Sequence, residues 1–196
     1  MIENEFKIML TFEQYEKLLS LYEWDETIVQ TNHYFDTDEL SLSEMHITCR
    51  VREINGKFYL QTKFPSAREY SRVELEKPLN ALPETLRAEE LPEPHPDLPT
   101  VKRLGSLTTT RTVKRFNGAE LDLDKSEYFG KTDCELEIEF TDEKTARALL
   151  AEITEKLNIQ PNSEVCTGKI RRFLEEYRRR GGQTGFSLEA ESRRSS

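Results

Sequence analysis

Cys134-Glu135-Leu136-Glu137-Ile138-Glu139-Phe140 alternates without a break, with three glutamates on one parity and only apolar side chains on the other. A period of two marks a β-strand, which sends successive side chains to opposite faces. The strand, read over residues 131–140, therefore has one acidic and one apolar face. Thr141-Asp142 then starts a helix. Ala146, Leu149, Leu150, Ile153 and Leu157 form its continuous apolar stripe, which needs an apolar sheet face to cover.

The same two-faced pattern recurs along the chain. Glu3, Glu5 and Lys7 share a parity against Ile2, Phe6 and Ile8. Two hairpins are expected around Asn55-Gly56 (strands 46–53 and 57–64) and Asn117-Gly118 (strands 107–116 and 119–125), because Asn-Gly suits the tight turn between paired strands. Further strands are read over 27–35 and 69–77. The polar parity carries His46, Arg50 and Arg52, then Lys63, then Arg72, Glu74 and Glu76, then Arg111, then Asp122 and Asp124. The opposite parity carries Ile47, Cys49, Val51, Val73, Leu75, Leu121 and Leu123. Thr11 with Gln14 opens a helix in a capping-box pattern. Residues 81–91 read as another helix, and a last one follows Gly168 with Ile170, Phe173, Leu174 and Tyr177 on one face. Leu91 to Pro99 holds four prolines and reads as a stiff connector. About eight strands with three or four helices make an α+β protein with a largely antiparallel sheet.

For any single strand, an antiparallel sheet with one face in water explains the alternation. The recurrence of arginine pairs and acid pairs at spacing two, on strand after strand, points to an alternative. A closed eight-stranded antiparallel β-barrel would turn the polar face inward and leave room for a small ligand. Charges inside such a barrel are tolerable when paired or when they bind something. Arginine and lysine suit phosphate oxygens. Clustered carboxylates suit a hard divalent cation, Mg²⁺ or Mn²⁺. Both together suit a metal–polyphosphate complex.

The 196 residues fit one generous domain, and 36% apolar content is enough for a core. A formal charge of −9 disfavours a general nucleic-acid binder. No apolar run is long enough to span a bilayer. The start, Met1 to Glu5, has no secretory pattern, so a cytoplasmic location is the expectation. Cys49, Cys134 and Cys166 form no metal knuckle and read as reduced, buried fillers. Phosphate-loop, HExxH and EF-hand patterns are absent from the sequence. His33 and His46 read as structural or surface residues, and Arg171-Arg172 as solvated helix face. Glu74 and Glu76 are placed either to partner the inward arginines or to touch metal. Periodicity stops near Arg178, so 178–196 is expected to be a flexible tail behind a domain of residues 1–177.

Glu3-Asn4-Glu5-Phe6-Lys7 is the ExExK pattern, and on it the chain resembles the CYTH, or triphosphate tunnel metalloenzyme, superfamily, in its small bacterial YjbK-like branch. Tyr34-Phe35-Asp36-Thr37, Arg50-Val51-Arg52, Lys63, Arg72-Val73-Glu74-Leu75-Glu76, Arg111, Leu121-Asp122, Glu137-Ile138-Glu139 and Gly168-Lys169 extend the resemblance in order over residues 1–177. The resemblance implies an eight-stranded tunnel with helices outside, and a metal-dependent triphosphatase acting on a small-molecule triphosphate. It implies Glu3, Glu5, Glu137 and Glu139 as metal ligands. Glu137 and an aspartate, Asp122 or Asp124, would serve a second, catalytic ion. Lys7, Arg50, Arg52, Lys63, Arg72, Arg111 and Lys169 would hold the phosphates. Within the resemblance a class IV-type adenylyl cyclase is the alternative, and from a different class a non-catalytic polyphosphate or nucleotide sensor that keeps the basic set. Cys49 stands where leucine commonly precedes the Arg-x-Arg pair, a packing change. Glu135 is a third inward acid without an assigned role.

Overall fold

The computed structural model describes residues 2–65, 71–92, 100–159 and 167–182. Among them the order is β1 (Ile2–Leu10), α1 (Phe12–Leu21), β2 (Glu26–Asp36), α2 (Ser41–Glu44), β3 (Thr48–Ile54), β4 (Lys57–Pro65), β5 (Ser71–Leu79), β6 (Thr85–Leu86), β7 (Val101–Phe116), β8 (Ala119–Tyr128), β9 (Lys131–Phe140), α3 (Glu143–Leu157) and α4 (Lys169–Arg179). Every pairing is antiparallel. The strand order is β2-β3-β4-β5-β1-β9-β8-β7-β6, and β2 also pairs with β7. The sheet is therefore curled and barrel-like, with long β8–β9 and β7–β8 ladders and a short β1–β5 one.

The apolar parity of the strands faces outward and is covered. Phe6, Ile8, Leu121, Leu123, Leu136 and Ile138 pack under Tyr15 and Leu18 of α1 and Ala146, Leu149, Ile153 and Leu157 of α3. Each fully buried leucine or isoleucine of this layer contributes about 1.5–3 kcal/mol. The helices start where the sequence predicts. Thr11 and Gln14 exchange both capping-box hydrogen bonds, and the Asp142 carboxylate accepts from the Lys144 amide. A second outer layer joins Phe35, Cys49, Val51 and Leu60 to Leu42, Leu86, Leu91 and Val101. Cys49 and Cys134 are buried free thiols, as expected of fillers; Cys166 lies outside the described residues.

Three expectations need correction. Residues 81–91 are not a helix: Leu86 pairs with Val101 in β6, and a 3-10 turn covers Ala88–Glu90. Leu86 and Leu91 are both buried against β2–β4, and an extended path brings both down where a helix would not. β6 is a ninth, two-residue strand beyond the expected eight, and β7 starts at Val101 rather than 107. His46 precedes β3 with a left-handed φ of 58° and is exposed; Thr48 instead takes the inward position opposite Lys63.

Helix α4 differs from α1 and α3 because it meets the inner face. Phe173, Leu174 and Tyr177 pack on Tyr34, Leu104, Leu107 and Tyr128. Tyr34 stands opposite Arg50 and Leu107 opposite Asn32, so both share the polar parity. The Tyr34 and Phe173 rings lie 4.9 Å apart. The β2–β7 register slips between Tyr34 and Phe35, at the point where Gly105 lets Phe173 approach: a Cβ on Gly105 would come within 3.1 Å of the Phe173 ring. Such a bulge bends the strand and re-aims its neighbours. The helix runs to Arg179, past the expected start of the tail; residues 183–196 lie outside the described part.

Candidate active site

Three strands, β1, β9 and β8, place their polar parity side by side. Glu5 stands opposite Glu139, Lys7 opposite Glu137, Asp122 opposite Glu137 and Asp124 opposite Glu135. The side chains form one ionic network. Lys7 Nζ lies 2.5 Å from Glu137 Oε1 and 3.0 Å from Glu5. Arg111, from β7, donates through Nε and Nη2 to Asp124 at 2.9 and 2.7 Å, through Nη2 to Glu137 at 2.5 Å, and through Nη1 to Asp122. Lys169, at the start of α4, contacts Glu135, Asp124 at 2.8 Å and Glu137 at 3.0 Å. Arg172, one turn on, donates to Glu135 at 2.6 Å and Asp133 at 2.8 Å.

This acid wall offers three groups of carboxylates whose oxygens lie within 4.8 Å of one another: Glu5, Glu137 and Glu139; Glu120, Asp122 and Glu139; Asp124, Glu135 and Glu137. The third is filled by the Lys169 ammonium. The second contains Asp122, whose Oδ1 is buried without a hydrogen-bond partner. An oxygen-only set with an unpartnered buried carboxylate oxygen fits a hard divalent cation. The backbone register puts Glu3 opposite Arg72, but its side chain lies outside the described set.

The charges shift one another. Burial pushes Asp122 up to about 8, against the pull of Arg111. Burial likewise raises Glu139 despite Arg111. Glu137 moves the other way: burial opposes it, but Lys7 and Arg111 hold it well below the usual carboxylate range. Burial, aided by Lys7 and Arg111, brings Lys169 down to about 7 although Asp124 pulls upward. Lys7 is raised, because Glu137 and Glu5 outweigh its burial.

Across the hollow stands a base wall on β3, β4 and β5. Arg50, Gln61 and Glu76 form one row straight across the three strands. Arg50 Nε donates to Gln61 Oε1 at 2.7 Å, and Gln61 Nε2 donates to Glu76 at 2.5 Å. In the next row Lys63 Nζ lies 2.6 Å from Glu74. Glu74 and Glu76 thus partner the inward polar row. Arg50 is buried, and its Nη2 makes no hydrogen bond, with Glu74 as far as 4.0 Å away. Lys63 acts electrostatically on Glu137 and Glu139, although β5 and β1 separate β4 from β9 in the sheet. The two walls therefore share one space. Arg72 is exposed, and its Nη1 reaches the His46 carbonyl at 3.4 Å.

The structure brings Lys7, Arg111 and Lys169 together with Glu5, Asp122, Asp124, Glu135, Glu137 and Glu139. It puts Arg50 and Lys63 on the facing wall, and Arg52 beside Arg50 on the same parity. Sequence reasoning missed Gln61, although it shares the parity of Lys63, and misread Arg172 as solvated. It also missed the burial of Tyr34 between Arg50 and α4. His33 is structural as expected, between Ser106 and Glu53 on the outer face.

Residues 1–173 match the CYTH domain. The chain is 34% identical over 189 residues to a Bacillus subtilis (strain 168) protein named "Putative triphosphatase YjbK", covering 91% of this chain and 97% of that one. Among solved structures it is similar to a Bacillus halodurans protein named "putative adenylate cyclase", at 26% identity and a TM-score of 0.70, over 87% of this chain and 96% of that one. It shares its fold with HpAC1 from Hippeastrum, described as a putative adenylyl cyclase with a dominant triphosphatase activity, at 22% identity and a TM-score of 0.65, over 89% and 95% of the two chains.

Proposed function

The chain belongs to the CYTH family, and from that premise we propose that it is a divalent-metal-dependent hydrolase of triphosphate-containing small molecules. The observation that carries this reading is the facing of an acid wall, with an unpartnered Asp122 oxygen, by a base wall, with an unpartnered Arg50 donor. The name of the Bacillus subtilis relative points the same way. The barrel-like sheet is read as a closed tunnel, which the β2–β7 pairing supports. No described helix is long and apolar enough to cross a membrane; a cytoplasmic location is part of the proposal.

Phosphoryl transfer asks the protein for positioning and charge neutralisation more than for covalent chemistry. Arg50, Arg52 and Lys63 hold the phosphate oxygens, with Arg50 Nη2 as a donor already desolvated. Glu5, Glu137 and Glu139, with Asp122, would hold Mg²⁺ or Mn²⁺. When bound, such an ion neutralises phosphate charge and makes water a stronger acid. Glu137, kept ionised by Lys7 and Arg111, is ready to ligate. Asp122, whose carboxyl is raised by burial, would ionise on holding such a cation. Lys7 and Arg111 fix the spacing of the carboxylates, and with Lys169 are the acid wall's own bases toward a phosphate chain lying between the walls.

Phosphate release from tripolyphosphate with Mg²⁺, Mn²⁺ or EDTA tests the reading. Turnover is expected with either ion and none in EDTA. Cyclic AMP as the product from ATP would assign a cyclase instead, and tight binding without turnover a sensor.

A further inference from the structure

Gln61 is the least expected member of the inner face. It is neutral, yet only 1% exposed, and both ends of its amide are engaged. A buried amide is tolerated when its carbonyl and its NH₂ are both hydrogen-bonded. Here the carbonyl takes Arg50 Nε and the NH₂ goes to Glu76, which is itself exposed. The three residues stand directly opposite one another across β3, β4 and β5. The neighbouring row pairs its cation directly with a carboxylate, Lys63 with Glu74. In the Arg50 row an amide stands in between, so Arg50 is oriented through Nε by a neutral group, and Glu74 meets Nη2 only at 4.0 Å. The Tyr34 ring packs on Phe173, and its hydroxyl interacts electrostatically with Arg50. The outcome is a guanidinium whose plane is fixed while Nη2 keeps no hydrogen-bond partner.

We infer that Gln61 is a positioning residue: its amide locks Arg50 through Nε and insulates it from Glu76, leaving Nη2 to bind an anionic oxygen of the substrate. The anion is a phosphate oxygen on the triphosphatase reading above, on which this step rests. A carboxylate at position 61 would also orient Arg50, but would cancel its charge. An apolar residue would leave its charge and lose its orientation.

Two measurements test this. In the wild-type protein, the Arg50 Nε–H signal in nitrogen-resolved NMR is expected to exchange with solvent at least about tenfold more slowly than that of exposed Arg178, as a buried and bonded donor does. Exchange as fast as that of Arg178 overturns the inference with no variant needed. In Gln61→Met the protection is expected to vanish and tripolyphosphate affinity, by calorimetry in EDTA, to fall about tenfold, the scale of one lost hydrogen bond to a charged group. Gln61→Glu is expected to keep the protection, since it keeps the acceptor. The affinities of Arg50→Ala and Arg50→Ala/Gln61→Met should be equal, because Gln61 acts only through Arg50. A further drop in the double variant, or unchanged protection in Gln61→Met, contradicts the role. Failure of the wild type to bind tripolyphosphate would remove the triphosphatase reading, while the exchange rates would still decide whether Gln61 holds Arg50.

Discussion

The two walls of the hollow carry opposite charge and are finished in opposite ways. On the acid wall, Glu5, Asp122, Asp124, Glu135, Glu137 and Glu139 meet Lys7, Arg111, Lys169 and Arg172. Each of these acids has a resident cation, and the buried oxygen left open is Asp122 Oδ1. The base wall is finished differently. Lys63 has Glu74, whereas Arg50 has a neutral amide. The contrast teaches that ion pairs alone do not mark a binding site. The open valences do, and they are an acceptor on one wall and a donor on the other.

Breaking the acid wall should have the largest effect. Glu137→Gln keeps the shape of a side chain that Lys7, Arg111 and Lys169 all contact, but removes its charge. Turnover of tripolyphosphate is expected to fall by about 10²–10³-fold, the scale seen when one preorganised electrostatic group is lost. Turnover within a factor of two of wild type would take Glu137 out of the site. Glu5→Gln is expected to act in the same direction with the fold intact by circular dichroism.

Arg50→Ala comes next. A hydrogen bond to a charged group contributes about 1.5–3 kcal/mol, so tripolyphosphate affinity should weaken by about 10–100-fold. Lys63→Met should weaken it less, because Glu74 already neutralises part of that charge. Calorimetry on the two variants gives the order, and a larger loss at Lys63 would reverse the assignment of the open donor.

A separate effect, on stability, follows from Asp122. Its carboxyl is raised from 3.8 to about 8. Between those values the folded state holds a proton that the unfolded state has released, so this group makes stability fall as pH rises toward 8. In EDTA, Asp122→Asn should therefore melt progressively higher relative to wild type as pH goes from 4 to 8. Mg²⁺ should stabilise the wild type most at the upper end of that range. Parallel melting curves across pH would mean that Asp122 is ionised throughout.

Much of this was legible in the alternation. Glu135-Leu136-Glu137-Ile138-Glu139 has one face under α1 and α3 and the other in the ionic network, as its period requires. Periodicity assigns a side chain to a face and says nothing of its partner. That is why Arg111 was read as an inward base and Lys169 entered only through the family resemblance, while their embrace by Asp122, Asp124 and Glu135 emerged only in three dimensions. Gln61 escaped because a neutral amide in a strand looks like a solvated residue, although its parity with Lys63 carried the signal. Arg172 escaped because its partners, Asp133 and Glu135, are brought to it by the docking of α4, which follows no local pattern. Residues 81–91 misled for the same reason: Leu86 and Leu91 are placed by the sheet they cover, not by helical spacing.

The most direct test is anomalous diffraction from crystals grown with Mn²⁺ and tripolyphosphate. Manganese is expected beside Asp122, Glu139, Glu137 and Glu5, with phosphate oxygens against Arg50 and Lys63 on the opposite wall. Manganese bound only on the outer surface, or a phosphate chain away from Arg50, would contradict it.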